Sequence, residues 1–101
     1  SPAVARLQHC LGITCAAGRI YVADTYNNKI KVLNPSVRTI PTFSGSGEPG
    51  LHDGPGDNAS FWEPGGLSAA GDFLYVADTN NHAIRKVDRR TGAVSTVDLE
   101  D

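Results

Sequence analysis

The chain of 101 residues contains one stretch twice, and this repeat limits the available folds more than any other feature. Residues 21–34 read YVADTYNNKIKVLN, and residues 75–88 read YVADTNNHAIRKVD. Asp24 and Asp78 are 54 positions apart (78 − 24 = 54), and the same offset pairs Ile30 with Ile84. A repeat of this length is typical of propellers, solenoids and arrays. The chain is therefore predicted to consist of two copies of one supersecondary unit.

The offset divides the chain into a first unit at residues 1–54, which includes the connecting loop, and a second unit at residues 55–101. Each unit is predicted to form four short antiparallel strands, because apolar segments alternate with turn signals such as Ala17-Gly18. The first strand of each unit is rich in small residues, as expected where strands converge, and Pro41 limits the fourth strand to an edge. The predicted strands are residues 11–16, 20–23, 29–33 and 38–44, and then 65–69, 73–77, 83–87 and 93–97.

This order, from a crowded inner strand to an outer edge strand, is that of a propeller blade. The predicted fold class is therefore all-β, with two four-stranded antiparallel blades. The segment between the blades is dense in Gly and Pro, so it is expected to be a surface excursion. Ala59–Trp62 is expected to form one helical turn, and Phe61 and Trp62 are expected to fill the space between the blades because they are large and apolar.

Asp24 and Asp78 are the acidic residues that recur in the two units. Each is predicted to end a strand, and each precedes a threonine. A carboxylate there can accept backbone N–H bonds across the following turn and hold the hairpin closed. The alternative is a catalytic or metal-binding carboxylate. Recurrence in both units favours the structural role, since one active site rarely needs the same acid in every blade.

The charge is nearly balanced, with 9 basic and 11 acidic residues and a net charge of −2. This argues against nucleic acid as the main partner, because phosphate binding needs a concentrated basic surface. The one local basic cluster consists of Arg85, Lys86, Arg89 and Arg90. A solvated turn explains it best, and an interaction surface for RNA or another anion is the alternative.

The sequence nominates no catalytic residue, metal ligand or cofactor site. His9, His52 and His82 are scattered, whereas a zinc or iron site needs three or four converging ligands. No Ser/His/Asp arrangement or phosphate-cradling glycine loop is present. Cys10 and Cys15 are expected to be buried thiols, which points weakly to the cytoplasm. There is no run of 18 apolar residues, so no membrane association is expected. The chain by itself is therefore not expected to be an enzyme.

The pattern YVADTxNxxIxxxD, the upstream PGGL and the loop GSGEPGLHDGPGDNASFWEP resemble NHL repeats. The resemblance is greatest to the propeller of proteins that join a thioredoxin-like domain to NHL repeats. It implies a six-bladed β-propeller that acts as a structural or protein-interaction scaffold. Two features depart from the family: Cys10 stands where the second unit has Pro64, and only two units are present.

Two blades can cover only the faces that they share, and repeat arrays generally need three or more units to offset chain entropy. The predicted partners are therefore other propeller blades. These would come in cis from a longer protein or in trans from a homo-oligomer, of which a trimer is the simplest, and a further protein partner is also expected. The isolated chain is not expected to be a stable monomer. The alternative functions are part of an enzyme (a thioredoxin-like redox protein or a metal-dependent propeller lyase or lactonase) and an RNA-binding NHL surface.

Overall fold

The computed structural model describes residues 10–34, 36 and 39–98. Within this part, eight strands form two four-stranded antiparallel sheets, which confirms the predicted all-β class. A 3₁₀ turn follows the second strand of each sheet, at Thr25–Asn27 and Thr79–Asn81. The strands are β1 Cys10–Ala16, β2 Arg19–Asp24, β3 Lys29–Leu33, β4 Thr42–Ser44, β5 Pro64–Ala70, β6 Phe73–Asp78, β7 Ala83–Asp88 and β8 Val94–Thr96.

Each sheet is a simple meander, with the orders β1-β2-β3-β4 and β5-β6-β7-β8, and we call the two sheets blade 1 and blade 2. Ala17 and Gly18 join β1 to β2 with φ of 51° and 75°, as a tight hairpin turn with two left-handed residues requires. Asn28 and His82 adopt φ of 58° and 51° at the ends of the 3₁₀ turns. The turn predicted at Ala17-Gly18 is confirmed.

The fourth strand of each blade is shorter than predicted. β4 begins at Thr42, so Pro41 lies before the strand rather than inside it, and residue 38 lies outside the described residues. Pro41 has no N–H to donate, and it contributes only its carbonyl oxygen, which accepts the Val32 N–H at 3.0 Å. β8 is extended by the connecting loop instead, because Gly54 and Val94 exchange backbone hydrogen bonds of 2.9 and 2.8 Å.

The two blades pack on each other through one hydrophobic core, which we call the seam. Ile30 pairs with Ala23 in blade 1, and Leu74 pairs with Val87 in blade 2, so each pair presents its side chains to one face of its sheet. The buried members of the seam are Tyr21, Ala23, Ile30, Ala59, Phe61, Leu74, Val76, Val87 and Val94.

The face that blade 1 contributes to the seam is the opposite of the face that blade 2 contributes, when the two sheets are compared residue by residue. The 54-residue offset relates Ile30 of the seam to Ile84, which lies on the other face of blade 2 because strand neighbours alternate. The blades therefore stack front to back, as successive blades of a propeller do. The inner strands approach closely, since a Cβ at Gly12 of β1 would clash with the carbonyl oxygen of Gly65. This confirms the crowding predicted for the first strand.

One face of each blade is left without a neighbouring sheet in the described structure. Ile13 on the outer face of blade 1 is 68% exposed, whereas its counterpart Leu67 packs against the seam. Cys15, on the same strand, is exposed, and the prediction that it is buried is wrong. Its counterpart Ala69 packs against the seam, so the difference follows from the missing cover on blade 1.

Among the described residues, no helix has the length and apolar character needed to cross a membrane.

Candidate functional site

The loop between the blades, residues 45–63, inserts one aromatic side chain into the seam. Phe61 is fully buried, which confirms its predicted position, but Trp62 is 43% exposed and the same prediction for it is wrong. The two residues lie in the irregular part of the loop before β5, and only the first side chain points into the seam. Ala59–Trp62 forms no helical turn; the turn lies earlier, where Pro55 accepts the N–H groups of Asn58 and Ala59 at 2.9 Å.

The loop docks into a groove on blade 1 that we call the first groove, formed by Ala23, Asp24, Thr25, Asn28, Lys29 and Ile30. The Thr25 hydroxyl donates to the carbonyl oxygen of Pro64 at 2.8 Å. Asn28 Oδ1 accepts the backbone N–H of Glu63 at 2.8 Å, and Asn28 Nδ2 donates to the carbonyl oxygen of Gly47 at 3.2 Å. Thr25 and Asn28 are both buried. The groove therefore binds the loop through hydrogen bonds to its backbone at Gly47, Glu63 and Pro64.

The side chain with the most polar contacts at the seam is Arg85, which is fully buried on β7. One terminal nitrogen donates to Asp78 Oδ2 and to the carbonyl oxygen of Ser60, each at 2.7 Å. The other donates to Asp53 Oδ1 at 2.8 Å and to the carbonyl oxygen of His52 at 2.9 Å. The guanidinium carbon lies 5.2 Å from the centre of the Phe61 ring. Arg85 thus fixes the loop to blade 2.

Asp24 and Asp78 are fully buried next to their turns. Asp78 accepts the Asn81 side-chain amide at 2.8 Å and the Trp62 backbone N–H at 2.8 Å. Asp24 accepts the Asn27 amide at 2.9 Å, and Lys31 Nζ lies 3.7 Å away. The expected donors were backbone N–H groups of the turn. The donors described here are instead an asparagine side chain in each blade and, for Asp78, the backbone N–H of Trp62 in the loop.

Asp53 holds the loop from the solvent side. It accepts the Thr96 hydroxyl at 2.8 Å and the Thr96 N–H at 3.2 Å, besides its ion pair with Arg85. Burial alone would raise the pKa of Asp53, but the hydrogen bonds from Thr96 and Arg85 and the Arg85 charge together lower it. The loop is therefore joined to β7 and β8 by a carboxylate that stays ionised in mildly acidic solution.

The four cations of the basic cluster are in different environments. Arg85 lies inside the seam, and Lys86 Nζ lies 4.0 Å from the centre of the Phe73 ring. Arg89 donates to the carbonyl oxygen of Gly71, and Arg90 pairs with Asp88 at 3.3 Å. The Asp88 contact raises the pKa of Arg90. The cluster therefore does not form one continuous cationic surface.

Within residues 10–34, 36 and 39–98, no three or more His, Cys, Asp or Glu side chains come together in a way that could hold a metal ion. The polar residues of the seam contact protein groups, and their arrangement can fix one blade to the next. Sequence reasoning did not single out Thr25, Asn28 or Asp53. The sequence did contain a signal for the role of Arg85: a cation recurs at the equivalent position of blade 1, Lys31. In the structure, each of the two cations lies beside the repeated aspartate of its own blade.

Comparison with known proteins agrees with this geometry. The NHL repeat family model matches residues 61–87, which run from the buried phenylalanine of the loop through β7. Blade 2 is therefore similar to an NHL repeat over these residues. NHL repeat-containing protein 2 from Bos taurus is 47% identical over an alignment of 96 residues, and the match covers 90% of this chain and 13% of that protein.

Two further relatives show similar identity. NHL repeat-containing protein 2 from Homo sapiens is 43% identical over an alignment of 100 residues, and the match covers 94% of this chain and 14% of that protein. Protein SUPPRESSOR OF QUENCHING 1, chloroplastic, from Arabidopsis thaliana is 44% identical over an alignment of 93 residues, and the match covers 90% of this chain and 9% of that protein. The chain is thus similar to NHL-repeat proteins over most of its length, and it spans about one seventh or less of these relatives.

Proposed function

We propose that this chain is a non-catalytic segment of a six-bladed NHL propeller that acts as a structural and protein-interaction scaffold. The units at residues 1–54 and 55–101 are its two blades, and further blades cover its outer faces. The cover comes in cis from a longer protein, or in trans when three copies close a ring.

One observation carries the proposal: Ile13 and Ile84, on the outer faces, are more exposed than their counterparts at the seam. Ile30 is fully buried in the seam, but Ile84 is only partly buried on the uncovered face of blade 2. On blade 1, Ile13 is exposed while its counterpart Leu67 is packed. Large exposed apolar surfaces are typical of interaction sites. Covering both outer faces with equivalent blades would bury them as the seam is buried.

The contacts of Asp24, Asp78 and the basic cluster favour the scaffold over the two alternatives. Both aspartates are buried within turn and loop contacts, which favours a structural role for them. Each cation of the cluster has an acceptor, an acidic partner or an aromatic ring beside it, which weakens the case for RNA. The compartment is a separate question, and a chloroplast protein is among the relatives.

A chimera tests the scaffold proposal. The matching segment of bovine NHL repeat-containing protein 2 is replaced with this chain, and the unfolding free energy of the chimera is measured. We expect a folded chimera in which Ile84→Asp loses about 2–4 kcal/mol, since it buries a charge between blades. Leu51→Asp is the control, because Leu51 is a loop residue with 50% exposure. A chimera that tolerates Ile84→Asp as well as Leu51→Asp would contradict the proposal.

A further inference from the structure

Trp62 and Glu63 are adjacent residues of the loop whose backbone is fixed while their side chains reach the surface. The Trp62 N–H donates to Asp78 Oδ1 at 2.8 Å, and the Trp62 carbonyl oxygen accepts the Asn80 N–H at 3.1 Å. The Glu63 N–H donates to Asn28 Oδ1 at 2.8 Å. Trp62 is nevertheless 43% exposed, and Glu63 is half-buried. The pair is therefore held by both blades and is open to solvent where they meet.

The fold itself does not account for this pair. Glu63 has a φ of 53°, a left-handed conformation that residues with a Cβ disfavour. The exposed indole adds little to the hydrophobic core, in contrast to the buried ring of Phe61. The repeat requires neither residue, since the 54-residue offset maps the pair onto Gln8 and His9 of the first unit. Backbone strain of this kind clusters at binding sites, so the pair is a candidate for one.

The acidic side chains of this part of the surface have no partners. Glu48 follows Gly47, whose carbonyl oxygen accepts Asn28 Nδ2 at 3.2 Å, and the same asparagine side chain binds the backbone of Glu63. Among the described residues, neither glutamate carboxylate takes part in a hydrogen bond or an ion pair. Lys29 Nζ lies 3.8 Å from where a Cβ on Gly47 would be, but it pairs with neither acid. An exposed aromatic face beside unpaired carboxylates is complementary to a cation.

We propose that Trp62 and Glu63 bind an arginine side chain of a protein partner. The guanidinium lies over the indole ring, whose quadrupole attracts a cation, and donates hydrogen bonds to the Glu63 carboxylate. Arginine suits this site better than lysine, because its planar guanidinium stacks on an aromatic face and also forms a fork that matches a carboxylate. Tryptophan and arginine are among the residues that most often dominate the binding energy of protein interfaces. The inference rests on the proposed function, since it names the chemistry by which the scaffold recognises a partner.

The site is separate from the faces that covering blades would occupy. The 3₁₀ turns at Thr25–Asn27 and Thr79–Asn81 each join the second strand of a blade to the third, so they mark one end of each sheet, and the pair lies at that end. Ile13 and Ile84 lie instead on the outer faces. Cover of those faces, in cis or in trans, therefore does not involve the pair.

Trp62 is the one tryptophan of the chain, so its fluorescence reports on this site directly. The full chain is titrated with a blocked peptide that carries one arginine between glycines, at a fixed chain concentration so that association through the outer faces stays constant. We expect a saturable change in Trp62 emission with a dissociation constant in the millimolar range, as one stacked and hydrogen-bonded side chain allows. The arginine side-chain protons should shift upfield in NMR spectra, because they lie over an aromatic ring. The matched peptide with citrulline, which has a similar shape but no charge, should bind at least about tenfold more weakly.

Two variants of the chain test the acidic contact, and both keep the tryptophan signal. Glu63→Gln should weaken binding of the arginine peptide about threefold or more, because it removes the charge of the acceptor. Asp57→Asn is the matched control, since Asp57 is an exposed acid of the same loop, and binding at physiological ionic strength should stay within about twofold. A third variant, Trp62→Leu, should abolish the upfield shift of the arginine protons.

The inference is overturned if no saturable change in emission occurs, if the citrulline peptide binds as tightly as the arginine peptide, or if Glu63→Gln and Asp57→Asn have equal effects. It is also overturned if the upfield shift persists with Trp62→Leu. Failure of these titrations, together with a chimera that folds and is destabilised by Ile84→Asp, would remove this inference and leave the scaffold proposal standing.

Discussion

Arg85 connects three segments of the chain, since its donors contact β6, the loop at residues 52–53 and the carbonyl oxygen of Ser60. A guanidinium can do this because it presents five donors in a planar fork. Lys31, at the equivalent position of blade 1, approaches Asp24 at 3.7 Å and cannot form the same fork. Arg85 therefore joins blade 2 to the preceding loop through several directed hydrogen bonds, which a single lysine ammonium could not form in the same planar arrangement.

Replacing Arg85 tests this role at the residue scale. Arg85→Ala is expected to lower the unfolding free energy by about 3–5 kcal/mol, because Asp78 would keep a buried charge without its partner. Urea unfolding at fixed protein concentration measures the loss. Arg89→Ala is the matched control and should change stability by less than about 0.5 kcal/mol, since its contacts are exposed. Equal effects of the two substitutions would contradict the role given to Arg85.

Asp53 predicts a dependence of stability on pH. Its folded-state pKa is lowered, so the ionised carboxylate stabilises the fold above the unfolded-state value of about 4, and this contribution is lost as pH falls through the folded-state pKa. The difference in unfolding free energy between the wild type and Asp53→Asn should be constant from about pH 7 to 5 and should shrink below about pH 4.

The comparison with Asp53→Asn also separates Asp53 from Asp88, whose pKa is lowered by its contacts with Arg90. Asp88 is present in both proteins, so its titration cancels in the difference. A difference that does not change with pH would show that Asp53 makes no net contribution.

At the residue scale, recurrence singled out Asp24 and Asp78, but the sequence did not predict what these acids contact. Asp78 is contacted by the loop at Trp62 and by Arg85 of β7, and local patterns do not encode these contacts. Thr25 and Asn28 looked like ordinary turn residues. Their role became visible only when Glu63 and Pro64, more than 30 positions away, were seen to dock on them.

At the scale of elements, Phe61 and Trp62 form a natural comparison of two adjacent aromatic residues. Phe61→Ala is expected to cost about 3–5 kcal/mol, because it leaves a cavity in the hydrophobic core of the seam. Trp62→Ala should cost less than about 1 kcal/mol, since much of the indole is exposed. Thermal unfolding of both variants measures the difference, and a larger loss for Trp62→Ala would contradict the packing described here.

Gly45 tests how closely the loop must pass the turn of blade 1. Its φ is 107°, and an added Cβ would lie 2.8 Å from the backbone oxygen of Asn28 and 3.1 Å from the Phe61 ring. Gly54 has a similar φ of 131° with no atom within 4 Å of such a Cβ. Gly45→Ala should therefore lose at least about 1 kcal/mol more than Gly54→Ala, because both share the backbone strain and only the first adds a clash.

Chemical unfolding of the two glycine variants measures that difference. Equal losses of unfolding free energy would show that backbone strain accounts for both effects. The loop would then be able to shift away from Asn28 and Phe61 without further cost.

The strand positions were predictable because β2, β3, β6 and β7 carry apolar residues between strong turn signals. The outer strands were harder to predict, since Pro41 shortens β4 and β8 gains a backbone pairing with Gly54. Which of two adjacent aromatics points inward depends on the path of an irregular loop, and the repeat contains no information on that path.

For the whole molecule, the internal repeat predicted the propeller blades and the need for cover, and the structure adds which faces lack it. Ile13 and Ile84 lie on opposite outer faces, one on each blade, so a stack of such units could continue in both directions. Heterologous contacts of this kind close into a ring or extend without limit. Covering blades, whether in cis or in trans, should therefore stabilise both halves of the chain.

Light scattering combined with thermal unfolding of the isolated chain tests this claim most directly. If the outer faces need cover, the folded species should be larger than 10.7 kDa, and its melting temperature should rise across an approximately hundredfold increase in concentration. Ile84→Asp should remove that increase. A cooperatively folded 10.7 kDa monomer whose melting temperature does not change with concentration would contradict the account.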